Sequence, residues 1–201
     1  MSFALYVIVE GHGEVQALRV LLRRLAQECF GRYDLQVFPP HRIPRGRIVA
    51  GDHLERAAEL GRRRLREYDA AGGILLLLDA DEDCPAELGQ RLLGRLKTAA
   101  PDVALSVVLA KREYEARFLA AARSLRGHSN VEDDAEPPPL PEDIRGAKEY
   151  LAQTILLPGV VYSKTVDQAS LTAMMDLREA SRCPSFAKLC RDFKALAATQ
   201  S

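Results

Sequence analysis

The chain has 201 residues, 28 Lys and Arg against 28 Asp and Glu, and a formal net charge of zero, which argues against a protein that coats nucleic acid by bulk charge. A chain of this length buries a core without cross-links, and Cys29, Cys84, Cys183 and Cys190 show no paired CxxC spacing, so neither a zinc site nor a disulfide framework is expected. No apolar run approaches a membrane span, and residues 1–15 carry acids where a secretory signal carries basic residues, which predicts a soluble, cytoplasmic protein.

Residues 3–9, FALYVIV, form an apolar run without alternation, the pattern of a strand buried on both faces of a parallel sheet. The run stops at Glu10-Gly-His-Gly-Glu14 and gives way to a helix over 14–30, with Leu18, Leu21, Leu22 and Leu25 on one stripe and Arg19, Arg23 and Arg24 on the other. Glu10 therefore stands at a strand-to-helix junction. Gly11 and Gly13 permit a tight turn and close backbone approach, but the third glycine of a dinucleotide fingerprint and the lysine of a phosphate loop are both missing. His12 in this turn is either a proton-transfer group or an exposed turn residue.

A strand at 35–38 precedes His41-Arg-Ile-Pro-Arg-Gly-Arg47, a loop by its proline and glycine whose Arg42, Arg45 and Arg47 are candidates for contact with a phosphate backbone. Arg62, Arg63, Arg64 and Arg66 lie instead on a helix over 53–70 and read as a solvated face.

Residues 74–83, ILLLLDADED, carry the strongest signal: a buried strand at 74–78 ends in Asp79, Asp81 and Asp83. Carboxylates this close repel one another, and a divalent cation taking hard oxygen ligands relieves that repulsion. The competing reading is a solvated acidic turn at the start of the following helix, where acids favour the dipole. The pattern continues with a helix at 85–99, a strand at 103–109 and a helix at 113–125. Glu113 and Glu115 open that last helix, where they serve the dipole, although Glu113 follows a strand and is a candidate additional ligand; Lys111 lies beside it. Strict alternation predicts an α/β fold of mostly parallel, Rossmann-like type with helices on both faces. Its strand ends would bring Glu10, Asp79, Asp81 and Lys111 or Glu113 to one edge.

Residues 127–145 hold four prolines and six acids, which predicts an exposed, semi-rigid connector between an α/β region at 1–126 and a helical extension at 146–201. In the extension a short strand is expected at 160–162 and helices at 144–153, 164–180 and 184–198, packed on the first region. Lys164, in Tyr162-Ser-Lys-Thr165, would neutralise phosphate charge if this tail folds over the strand ends.

An apolar strand ending in Glu-Gly, followed some seventy residues later by a strand ending in Asp79-Ala-Asp81, resembles the Toprim domain of topoisomerases, primases and related nucleases. Lys111-Arg-Glu-Tyr-Glu-Ala-Arg-Phe-Leu119, Tyr162-Ser-Lys-Thr165 and Cys183-Pro-Ser-Phe186 are similar to a small Toprim-like family whose genes often neighbour those of ABC-type ATPases in prokaryotic defence loci. A tryptophan often precedes the Phe118 position in that family; this chain has Arg117 there. The resemblance implies Mg²⁺ or Mn²⁺ held by Glu10, Asp79 and Asp81, with Asp83 and Glu113 as further candidates. It also implies cleavage of nucleic-acid phosphodiesters, DNA or RNA, by these carboxylates, and an ABC-type ATPase partner. A metal-binding adaptor without catalysis, and last a phosphoacceptor receiver domain, are the competing readings. A receiver expects the acidic pair after the first strand, and here it follows the third.

Overall fold

The computed structural model describes residues 3–68 and 71–198. Its sheet holds β1 (Phe3–Val9), β2 (Leu35–Val37), β3 (His41–Arg42), β4 (Ala71–Asp79) and β5 (Ala104–Ala110), all parallel, in the order β2-β1-β4-β5 with β3 also on β1. β2 pairs with the first half of β1 and β3 with its last two residues. Between them Pro39 and Pro40, which have no N–H to donate, interrupt the ladder.

Both faces of the sheet are covered, as its apolar strands require. Phe3, Leu5, Val7 and Val9 of β1 and Leu75 and Leu77 of β4 enter one core, with α1 (His12–Arg24), α5 (Ala116–Ala120), α7 (Asp167–Met174), α8 (Leu177–Ala180) and α9 (Pro184–Ala198). Ala4, Tyr6 and Ile8, with Ile74, Leu76 and Leu78, enter the other, beneath α2 (Arg45–Val49), α3 (His53–Glu67) and α4 (Pro85–Ala99). Because α1 and α3 lie on opposite faces, the chain reverses direction across the sheet between β1 and β4. A doubly wound sheet binds ligands outside the carboxyl ends of its strands at such a switch point. Glu10 and Asp79 lie at those two ends.

Several elements differ from the sequence expectation. The helix over 14–30 starts at His12 and becomes a wide π-turn at Leu25–Cys29, which keeps Leu25 and Ala26 both buried. The segment after Pro40 is ordered as β3 and α2 rather than loop. The helix over 53–70 reaches Glu67; Asp69 and Ala70 lie outside the described residues. In place of a helix over 113–125 the chain makes a turn, the short α5 and a 3₁₀ turn at Ala122–Leu125.

The tail is more broken than its composition suggests. It contains α6 (Ala147–Tyr150), a π-turn at Leu151–Ile155, α7, α8 and α9. No strand forms at 160–162; instead Val131 bridges Leu156. The acidic proline-rich stretch is not simply exposed: Val131, Ala135, Pro138, Pro141 and Glu142 are buried. Glu142 accepts a hydrogen bond from the Ser185 amide at 3.1 Å and so caps the first turn of α9. Arg117 is 2% exposed, its guanidinium 3.7 Å from the Tyr114 ring centre and 5.5 Å from that of Phe186, so a flat cation fills an aromatic-lined place by cation–π contact. Among the described residues no helix is long and apolar enough to cross a membrane.

Candidate active site

Four carboxylates meet around the ends of β1, β4 and β5, and only part of the set is the one singled out by the acidic run. Asp79, the last residue of β4, is 6% exposed. Burial pushes its carboxyl well above the ordinary aspartate range, and the charges of Glu14, Glu115 and Glu10 push it further, against the pull of Lys164. Glu10 leaves the end of β1 half-buried, its Oε2 enclosed without a hydrogen bond. Burial, then Glu14 and Asp81, raise its carboxyl to about 7, with Arg45 and Lys164 opposing.

Glu14, in the first turn of α1, is 4% exposed and its Oε2 is also unpartnered. It folds back over Gly11, where an added Cβ would stand 2.2 Å from Glu14 Oε2. Glu115, fully buried just before α5, accepts from the Tyr162 hydroxyl at 2.9 Å and from Gln168 Nε2 at 3.4 Å on Oε1. Its Oε2 has no hydrogen bond and faces Lys164 Nζ at 3.9 Å. Burial raises the Glu115 carboxyl in spite of that lysine and the tyrosine.

Lys164 is the cation these acids share. Burial works against its charge, yet Glu115, Asp79, Glu14 and Glu113 together hold the ammonium above the usual lysine range. It arrives on the turn before α7, which approaches α1 so closely that a Cβ at Gly13 would lie 2.6 Å from the Lys164 carbonyl and 2.2 Å from Gln168 Oε1. Gly11 is extended rather than left-handed, at φ −104°. The two glycines thus clear space for Glu14 and for the 164–168 turn.

The other candidates stand outside this cluster. Asp81, in a left-handed conformation at φ 50°, is half-exposed and lies 3.2 Å from Arg45 Nε. Arg45 also donates to the carbonyls of Asp79 and Ala80 and to the Asp83 carboxylate, so it clamps the acidic turn instead of reaching outward. Arg112, also left-handed at φ 66°, pairs with Glu82. Glu113 accepts from the Lys148 amide at 2.8 Å, capping α6, and Lys111 pairs with Asp143. Arg42 sits beside Val9 at the end of β1 and Arg47 is exposed on α2; neither side chain has a hydrogen bond or ion pair among the described residues. His12 is exposed.

Glu14 and Gln168 were missed by the sequence reading, and Glu115 was set below Glu113. The available signal for Glu14 was its spacing, one helical turn after Glu10 across a glycine-bracketed junction. Among the described residues no three His, Cys, Asp or Glu side chains are placed to hold a metal ion as they stand. What fits a hard divalent cation is the donor chemistry: the enclosed oxygens of Glu10, Glu14 and Glu115 that lack a hydrogen bond, beside the buried Asp79.

No curated protein and no solved structure matches the chain. One family model does match, over residues 9–194, from the end of β1 through the connector to α9, and its description is a domain of unknown function. With nearly the whole chain matched, the protein belongs to the DUF4276 family.

Proposed function

We propose that this protein is a Toprim-like, Mg²⁺- or Mn²⁺-dependent enzyme that cleaves nucleic-acid phosphodiesters, acting in the cytoplasm under an ABC-type ATPase partner in a defence system. The observation that carries the reading is the convergence of Glu10, Glu14, Asp79 and Glu115, from three separate strand ends, with three of their oxygens enclosed and without a hydrogen bond. Buried acids without partners are costly, and a site that gathers them against burial calls for a positive ligand.

When bound, a divalent cation would supply Lewis-acid polarisation of the phosphoryl oxygen and lower the pKa of a coordinated water. Asp79 and Glu14 would hold it. Glu10, with its carboxyl near 7, is tuned to exchange a proton with the attacking water at neutral pH. Lys164, held as an ammonium by the surrounding acids, would offset negative charge developing on the phosphoryl group. Arg42 and Arg47, whose side chains are unpaired among the described residues, would contact the backbone of the substrate. The burial of Asp79 and the clamping of Asp81 and Asp83 by Arg45 also suit a metal-binding adaptor that does not cleave.

Incubation of the purified protein with DNA and RNA, alone and with its ATPase partner, tests the reading. Cleavage that requires Mg²⁺ or Mn²⁺ and is lost in Glu10→Gln and Asp79→Asn, with both variants folded, is the expected result. Cleavage persisting in both variants would contradict the assignment, and cation binding without cleavage in the wild type would select the adaptor.

A further inference from the structure

β5 ends the sheet, and no further strand pairs with its outer edge among the described residues. The Ala110 carbonyl accepts from the Ala80 amide at 2.8 Å, so the even-numbered residues of β5 turn their backbone groups toward β4. Strand alternation then points those of Leu105, Val107 and Leu109 outward. Lys188 Nζ on the Val107 carbonyl, at 2.9 Å, has that direction. None of the three outward amides has a partner among the described residues.

This edge forms the floor of a groove of about 540 Å³, lined by none of the four clustered carboxylates. One wall is α4, where Ala86, Gly89 and Leu93 are small or apolar; the other is α9, with Lys188, Arg191 and Asp192. Asp192 is already satisfied by Ser106 at 2.6 Å and Lys188 at 2.5 Å. Arg191 is exposed and has no anionic partner among the described residues, so the uncommitted charge of the groove is positive.

We infer that the β5 edge is a docking groove for an extended segment of a partner polypeptide that alternates apolar and acidic residues. A strand added beside β5 would accept from the outward Leu105, Val107 and Leu109 amides and point successive side chains alternately to the two walls. Apolar residues face α4 and acidic ones face Arg191. The edge is recessed between two helices, so the β5 of a second copy, flanked by the same walls, does not enter it, whereas a single extended chain does.

Hydrogen exchange of the full chain tests this, with a short acetylated peptide alternating valine and glutamate as the probe and its valine–lysine counterpart as the control. The Leu105, Val107 and Leu109 amides should slow by about tenfold or more with the acidic peptide only. Arg191→Glu, a surface change, should weaken that peptide by about tenfold, the step one charge-assisted contact commonly provides. Absence of protection at these amides, or equal protection by both peptides, would overturn the proposal. So would protection that appears on raising the protein concentration alone, which would make a second copy the occupant.

Discussion

Two groups of acids lie within a few residues of each other at the carboxyl edge of the sheet, and their circumstances are opposite. Asp81, Glu82 and Asp83 are half or more exposed and matched by Arg45, Arg112 and Arg145. Glu10, Glu14, Asp79 and Glu115 are largely enclosed, share the cation Lys164, and leave carboxylate oxygens without a hydrogen bond. The conspicuous acids are electrostatically at rest, and the inconspicuous ones are held under strain. Unrelieved charge, rather than abundance of charge, marks the place where a ligand is required.

The largest way to break this contrast is to separate Lys164 from the acids it serves. Gly13→Ala forces a methyl group against the Lys164 carbonyl and Gln168, so the 164–168 turn must move away from α1. Urea unfolding should show a loss of about 2–3 kcal/mol, at the upper end of the cost of overpacking. A loss no greater than that of an exposed Gly46→Ala would mean that the turn and α1 are not locked together.

Arg45→Ala would instead make the compensated acids resemble the uncompensated ones. It leaves Asp81 and Asp83 unpaired and removes the arginine donor from the Asp79 carbonyl, a cost of about 1–3 kcal/mol, while the Ala80 carbonyl keeps the Asp83 amide. In phosphodiester cleavage it should act through the order of this turn rather than as a simple phosphate contact, so raising the salt concentration should not reproduce the defect.

A smaller effect sharpens the comparison through pH. A folded Glu10 keeps its proton up to about pH 7, while the unfolded chain releases it near the ordinary value of 4.5. The stability this provides is present below the unfolded value and is lost as pH rises toward 7. Burial gives Asp79 and Glu115 the same direction. The melting temperature in chelator should therefore fall between pH 5 and pH 8, and Glu10→Gln should flatten part of that fall. A wild-type Tm that rises across this window would contradict the burial of these acids.

The sheet was legible because strands buried on both faces leave continuous apolar runs, as in 3–9 and 74–78, and because each run stops at a charged turn. The parallel order followed from alternation with helices. The acids were only half legible. Asp79 and Glu10 end their strands, so position alone placed them at the switch point. Which of Glu113 and Glu115 turns inward was not readable, since a regular helix over 113–125 never forms. The left-handed Arg112 and the buried ring of Tyr114 set the phase there instead. The tail's element bounds were misjudged for a related reason, since no local pattern encodes how α7 packs on α1; the expected packing on the first region holds, and it brings Tyr162, Lys164 and Gln168 to the site. Arg45 had the composition of a phosphate contact because its clamp on the 79–83 turn is a contact between distant segments.

The central claim is that the enclosed carboxylates, and not the exposed acidic turn, bind a divalent cation. Thermal unfolding at neutral pH in chelator and in rising Mg²⁺ or Mn²⁺ tests it directly, for the wild type, Glu14→Gln and Asp83→Asn. A cation that binds only the folded state should stabilise the wild type and Asp83→Asn alike, by about 2.7 kcal/mol at a hundredfold excess over Kd, and Glu14→Gln should respond far less. An unchanged wild-type melting temperature with both metals, or a shift lost in Asp83→Asn and retained in Glu14→Gln, would contradict the account.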